Sequence, residues 1–186
     1  MMIRPARLED APAMGRVMVT TWLATHRDQV SAQALQERLE NWTAEDSQRG
    51  WEELLIEMAA EDQPDNCLYV ALAEAGQVVG LAMGGPARDE TQVPTGEVYV
   101  LYVLPEHQSQ GHGQKLVRAV AAYLAGLGNK SLYISCLGTN TPTRRFYETL
   151  GGRVIGEREN GKDGVEVVFS WPDIDRLQLA NRKQAS

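Results

Sequence analysis

Two glycines stand where an apolar run ends and an amphipathic stretch begins, and that junction is the part of the chain best suited to chemistry. Residues 98–103 are six consecutive Val, Leu or Tyr residues, Leu104 follows, and Pro105 forbids a strand from continuing. Beyond the segment P-E-H-Q-S-Q-G-H-G, Leu116, Val117, Val120, Leu124 and Leu127 recur at helical spacing, which predicts a helix over 114–127. Gly111 and Gly113 therefore lie where a strand feeds the N-terminus of a helix. Unpaired N–H groups of the first turn and the positive end of the helix dipole make such a junction an anion site, and glycine lets a phosphate approach bare backbone. A pyrophosphate suits it. The dinucleotide fingerprint G-x-G-x-x-G is missing, since Leu116 takes the place of its third glycine and residues 131–136 (S-L-Y-I-S-C) offer no acid. A G-x-x-x-x-G-K-[ST] loop is missing too.

What remains is Gln108-x-x-Gly111-x-Gly113 after a Val103-x-Pro105 strand end. It resembles the Q/R-x-x-G-x-G/A loop of the GNAT superfamily of N-acetyltransferases. Residues 140–152, N-T-P-T-R-R-F-Y-E-T-L-G-G, are similar to that family's N-x(5)-F-Y-E-x-x-G segment. Glu97 lies eleven residues before Gln108, where many members carry a catalytic glutamate. The likeness covers about residues 67–171; the first 65 share the family's layout without a diagnostic motif.

The resemblance implies an α/β fold, with a mixed, mostly antiparallel central sheet splayed at the cofactor site and flanked by helices. It places one domain over 1–175 and a tail over 176–186. It implies acetyl-CoA as co-substrate, no metal, and direct transfer in a ternary complex to a primary amine of a small molecule, and it leaves a homodimer open. A protein α-amine or lysine acceptor, or a non-catalytic acetyl-CoA sensor, are the alternatives. Gln108, Gln110, Gly111, His112, Gly113 and Gln114 would form the pyrophosphate cradle, with Asn140 on the cofactor or the strand gap.

Attack of an amine on a thioester sets the remaining demands. Alkylamines titrate near 10, so the amine must lose a proton, and Glu97 is the candidate base, directly or through a water, with Tyr99 and His26 as alternates. The carbonyl oxygen gains negative charge and needs an N–H aimed at it. The resemblance assigns this to the main chain near Leu101 to Val103, and the proton for the departing thiolate to Tyr147. Cys136 has no neighbouring base in sequence and reads, like Cys67, as a buried thiol without ligand spacing.

The elements that must position these residues follow the same local rules. Residues 2–7 form a first strand; Asp10 can cap a helix with Met14, Val17, Met18 and Trp22 on one side. Leu35, Leu39 and Trp42, then Trp51, Leu54, Leu55 and Met58, continue the helical spacing. Strands over 67–73 and 78–83 pair through the 74–77 turn, and 84–96 reads as a functional loop. A strand over 131–136, a helix over 142–150 capped by Thr141 and closed by Gly151, and strands over 153–158 and 165–171 follow. With 186 residues, 43% of them apolar, a single core is affordable, and no apolar leader or spanning segment is present, which points to the cytoplasm. Twenty-five acids against 18 Lys and Arg disfavour nucleic acid and anionic membranes. By itself that balance favours a cationic acceptor, with Asp89 and Glu90 before the central strand as its local carriers.

Overall fold

The computed structural model describes residues 2–28, 30–61, 64–88, 95–159 and 164–179. In chain order the elements are β1 (Met2–Pro5), α1 (Ala11–His26), α2 (Ala32–Asn41), α3 (Ala44–Ala59), β2 (Cys67–Leu72), β3 (Val78–Pro86), β4 (Thr95–Val103), α4 (His112–Gly126), β5 (Ser131–Leu137), α5 (Thr141–Thr149), β6 (Arg153–Glu159), β7 (Val165–Trp171) and α6 (Asp175–Leu179). The strands form one sheet in the order β1-β2-β3-β4-β5-β7-β6. Only β4 and β5 run parallel, joined by the α4 crossover; every other pair is antiparallel. Asn160 to Asp163 of the last turn, and Asp89 and Glu90, lie outside the described residues.

Alternation along β2 and β3 explains why helices cover both faces. Leu68, Val70, Leu72 and Leu81 pack with Met14, Val17 and Trp51 of α1 and α3. Their neighbours Cys67, Ala71, Val79 and Ala82 turn to the other face, against Leu116, Val120 and Leu124 of α4. Close approach of α4 depends on glycine: a Cβ at Gly84 would collide with Val120 Cγ1, and one at Gly96 would lie 2.6 Å from Leu124 Cδ1. Leu177 of α6 is buried in the same core.

Some local expectations are revised. Asp10 stands at the start of α1 but makes no side-chain cap; its carboxylate instead accepts from Arg4 at 2.7 and 2.8 Å and from the Arg7 N–H at 2.8 Å. A bidentate guanidinium outcompetes a single helix N–H for the same oxygens. Asn140, not Thr141, caps α5, accepting from the Thr143 N–H at 3.2 Å. In α2, Leu39 is exposed, and the helix docks through Trp42 and Arg38 instead. Among the described residues no helix is long and apolar enough to cross a membrane, and no three metal-ligating side chains come together.

Candidate active site

Two irregularities in the sheet open the site. Ladder pairing of β4 with β5 ends at Val98 and Ile134, although β4 continues to Val103 and β5 to Leu137. Across from it, Gly84 pairs with Val98 and Met83 with Val100, so Tyr99 is an extra residue, a bulge that bends and twists β4 away from β5. The strands therefore diverge and leave main-chain groups of β4 facing a cleft. This accounts for the half-buried state of Tyr99 to Tyr102, a stretch whose composition alone suggests burial on both faces.

The cleft belongs to a cavity of about 720 Å³. At one end Gln108, Gly111, Gly113 and Gln114 line it, with Leu101 and Val103 of β4 and Asn140 beside them. Gly111 holds φ 84°, a left-handed conformation open to glycine, and so turns the chain into α4. A Cβ on Gly113 would already lie 3.2 Å from Phe146 Cζ, which leaves no depth for a branched side chain. The bare N-terminus of α4 thus faces the cavity, as an anion cradle requires. Gln108 Nε2 donates to the Val103 carbonyl at 3.0 Å and ties the loop to the end of β4. Two candidate side chains are not on the cavity wall. Gln110 donates to the Glu106 carbonyl at 3.0 Å, and His112 is buried with Nδ1 lacking a partner among the described residues. Burial, then the charge of His107, holds His112 below the usual imidazole range. These two can serve an anion through their main-chain N–H only.

Tyr147, on α5, lies on the cavity wall, its ring packed at 5.4, 5.3 and 6.3 Å from those of Phe146, Phe169 and Trp171. Its hydroxyl has no hydrogen-bond partner among the described residues. Burial, then nearby Cys136, pushes this phenol well above its ordinary value, so it stays protonated. Cys136 also lines the cavity, but burial raises its thiol to about 11, which makes it a poor nucleophile at neutral pH; Cys67, buried elsewhere, reaches about 12.

Glu97 meets a different setting from that of an open base. It is buried, does not line the cavity, and both its oxygens are engaged. Arg88 donates to it through its main-chain N–H at 2.9 Å, Nε at 3.2 Å and Nη2 at 2.6 Å, and Arg158 through Nη2 at 3.3 Å. Burial alone would raise the carboxyl; the Arg88 hydrogen bonds and the two positive charges outweigh it and hold Glu97 below the usual glutamate range. A carboxylate so held is ionised but weakly basic. Arg88 and Arg158 do line the cavity; the Arg88 guanidinium lies 5.1 Å over the Tyr99 ring, and Arg158 also reaches Glu166 at 3.0 Å and Ser135 at 2.9 Å.

A helical wall completes the cavity. Thr21, Trp22, Thr25 and His26 come from α1 and Arg38 from α2. His26 Nδ1 lies 3.0 Å from the Trp22 carbonyl and its ring stacks on Trp22. Of this wall the sequence offered only His26, as an alternate base, and no local spacing gives a signal for Arg38, Arg158, Ser135 or Glu166.

The acetyltransferase (GNAT) family profile matches residues 18–151. The uncharacterised N-acetyltransferase YuaI of Bacillus subtilis is 29% identical over 184 residues, 97% of this chain and 98% of that protein. Among solved structures, PaiA N-acetyltransferase from Thermoplasma acidophilum in complex with coenzyme A aligns with a TM-score of 0.72 at 16% identity, over 91% of this chain and 96% of the other. An aminoglycoside 6′-N-acetyltransferase complexed with coenzyme A aligns with a TM-score of 0.65 at 16% identity, over 94% and 97% of the two chains.

Proposed function

The chain belongs to the GNAT acetyltransferase family, and from that premise we propose that its acceptor is the primary amine of a small molecule. The protein is an N-acetyltransferase that uses acetyl-CoA and needs no metal. One observation carries the acceptor class: the cradle, the strand gap, Tyr147 and the Trp22–His26 wall share a single cavity of about 720 Å³, within the usual range for small-molecule sites. The aminoglycoside enzyme of the same fold is named for a small acceptor, but likeness of fold alone does not transfer a substrate, so the cavity is the support.

In this reading the α4 N-terminus and the glycines at 111 and 113 hold the pyrophosphate, and unpaired N–H groups of β4 near Leu101 to Val103 receive the charge that develops on the carbonyl oxygen. The free-base amine nitrogen forms the new C–N bond, the C–S bond breaks, the thiolate takes its proton from the Tyr147 hydroxyl, and the proton that the nitrogen sheds passes through solvent to restore the phenol. Glu97 acts as a positioning residue that orders Arg88 and Arg158. The ammonium form gives its proton to solvent before it reacts. The enzyme works in the cytoplasm.

A panel of small amines and of peptides with free α-amines and lysines, followed by release of the CoA thiol, tests the acceptor class. Turnover of small amines is expected; turnover of peptides alone would overturn it. Glu97→Gln should keep the rise of kcat/KM with pH that the amine's own ionisation imposes, and its disappearance would make Glu97 the base after all.

A further inference from the structure

The charges on the cavity wall do not follow those of the whole molecule. With a formal net charge of -7 the protein as a whole would attract cations, yet the described lining carries Arg38, Arg88 and Arg158 against one carboxylate, Glu166. Exposed charges more than about 8 Å away are largely screened at physiological ionic strength, so the local set decides what a bound molecule feels. Arg88 and Arg158 are matched: Glu97 accepts from both, and Glu166 accepts from Arg158, two guanidiniums against two carboxylates.

Arg38 is the surplus. Its guanidinium carbon lies 5.0 Å from the centre of the Trp22 ring and 4.8 Å from that of Trp42, with the two indoles edge to face at 5.9 Å. It has no carboxylate partner among the described residues. On the same helix, Glu40 accepts from Gln36 at 2.5 Å and Glu37 from Gln33 at 3.0 Å. Two aromatic contacts fix the plane of a guanidinium and reduce the entropy it loses on binding, but they do not cancel its charge or use its N–H edge. That edge matches two oxygens of a carboxylate or similar oxyacid. On the wall of the same cavity, Thr21 has a buried hydroxyl that also lacks a partner among the described residues.

Building on the small-amine reading, we infer that the acceptor carries an anionic oxyacid group, a carboxylate first of all, and that Arg38, seated on Trp22 and Trp42, recognises it. The amine end then points to the strand gap and Tyr147. The substrate class is an amino acid or a close relative, in place of the cationic acceptor that overall charge suggests.

The test compares amino acids with their own carboxamides, which keep the amine and lose the charge, by CoA-thiol release. In the wild type, kcat/KM should favour the acid by roughly tenfold or more, the factor expected of one charge-assisted pair. Arg38→Met, which keeps an apolar stem against the indoles, should shrink that acid-to-amide ratio about tenfold, and Arg38→Lys should retain part of it. Should the methionine variant fail to fold, Arg38→Gln carries the same measurement. Amides used as well as acids, or an unchanged ratio in the variants, would overturn the inference. So would a rise in KM for acetyl-CoA with the ratio intact, since Arg38 would then serve the co-substrate. Turnover of peptides alone would instead be a failure of the small-molecule reading.

Discussion

Replacing Tyr147 by Phe separates chemistry from folding more cleanly than any other change in this site. The ring is enclosed by Phe146, Phe169 and Trp171, and phenylalanine fills the same volume. The hydroxyl has no partner among the described residues, so its loss strands no buried donor or acceptor. Stability should therefore stay within about 0.5 kcal/mol of wild type. The effect on rate follows from the leaving group. An alkyl thiol titrates near 8.5, so the thiolate leaves without extreme help, and the lower end of general-acid contributions applies, about a hundredfold. That corresponds to about 2.7 kcal/mol of barrier. Because burial pushes the phenol well above its ordinary value, the wild-type hydroxyl keeps its proton through neutral and mildly basic pH. Steady-state kinetics and urea unfolding on the same preparation give both numbers. A kcat close to wild type in a protein of unchanged stability would refute the assignment of Tyr147 as the proton donor. A loss of several kcal/mol in stability would refute the reading of an unpartnered hydroxyl.

Other expectations follow from the same geometry. Coenzyme A at a hundred times its dissociation constant should stabilise the protein by about 2.7 kcal/mol, a shift of roughly 5–10 °C in Tm for a chain of this size. Gly111→Val should abolish that shift, since valine is strained at φ 84° and covers the N–H groups of the cradle; calorimetry showing undiminished affinity would remove the loop from the binding site. Glu97→Gln should cost about 2 kcal/mol, less than a fully buried pair because Arg88 and Arg158 remain 56% and 29% exposed. The Glu97 carboxyl is held below its ordinary 4.5, so its contribution is fully present above that pH and disappears as pH falls through the folded value. Acid unfolding of the glutamine variant should accordingly be shallower than that of wild type, and parallel curves would count against the ion-pair network.

Local spacing determined a good deal of this protein. A strand that must stop at Pro105, glycines at 111 and 113, and an amphipathic helix behind them place a strand-to-helix junction with bare backbone N–H groups, because caps, breaks and helix dipoles act within a few residues. The helix carrying Tyr147 was legible through the family likeness of residues 140–152, although Asn140 and not Thr141 caps it, and strand β7 over 165–171 through its own apolar pattern. What surrounds those residues was decided by the tertiary structure. Arg158 reaches Glu97 across 61 residues of sequence because the order β5-β7-β6 carries the end of β6 to the side of the gap that β4 opens. The bulge at Tyr99 that opens the gap depends on its register with Met83 and Gly84 in another strand. Glu97 reads in sequence as a candidate base, and its burial against Arg88 and Arg158 is visible only in the fold. Likewise Arg38 is one surface-type residue on a polar helix until Trp22 and Trp42 close around it. The physical division is one of range: backbone conformation is set by neighbours along the chain, whereas the charge and proton affinity of a side chain are set by whatever the fold brings within a few ångströms.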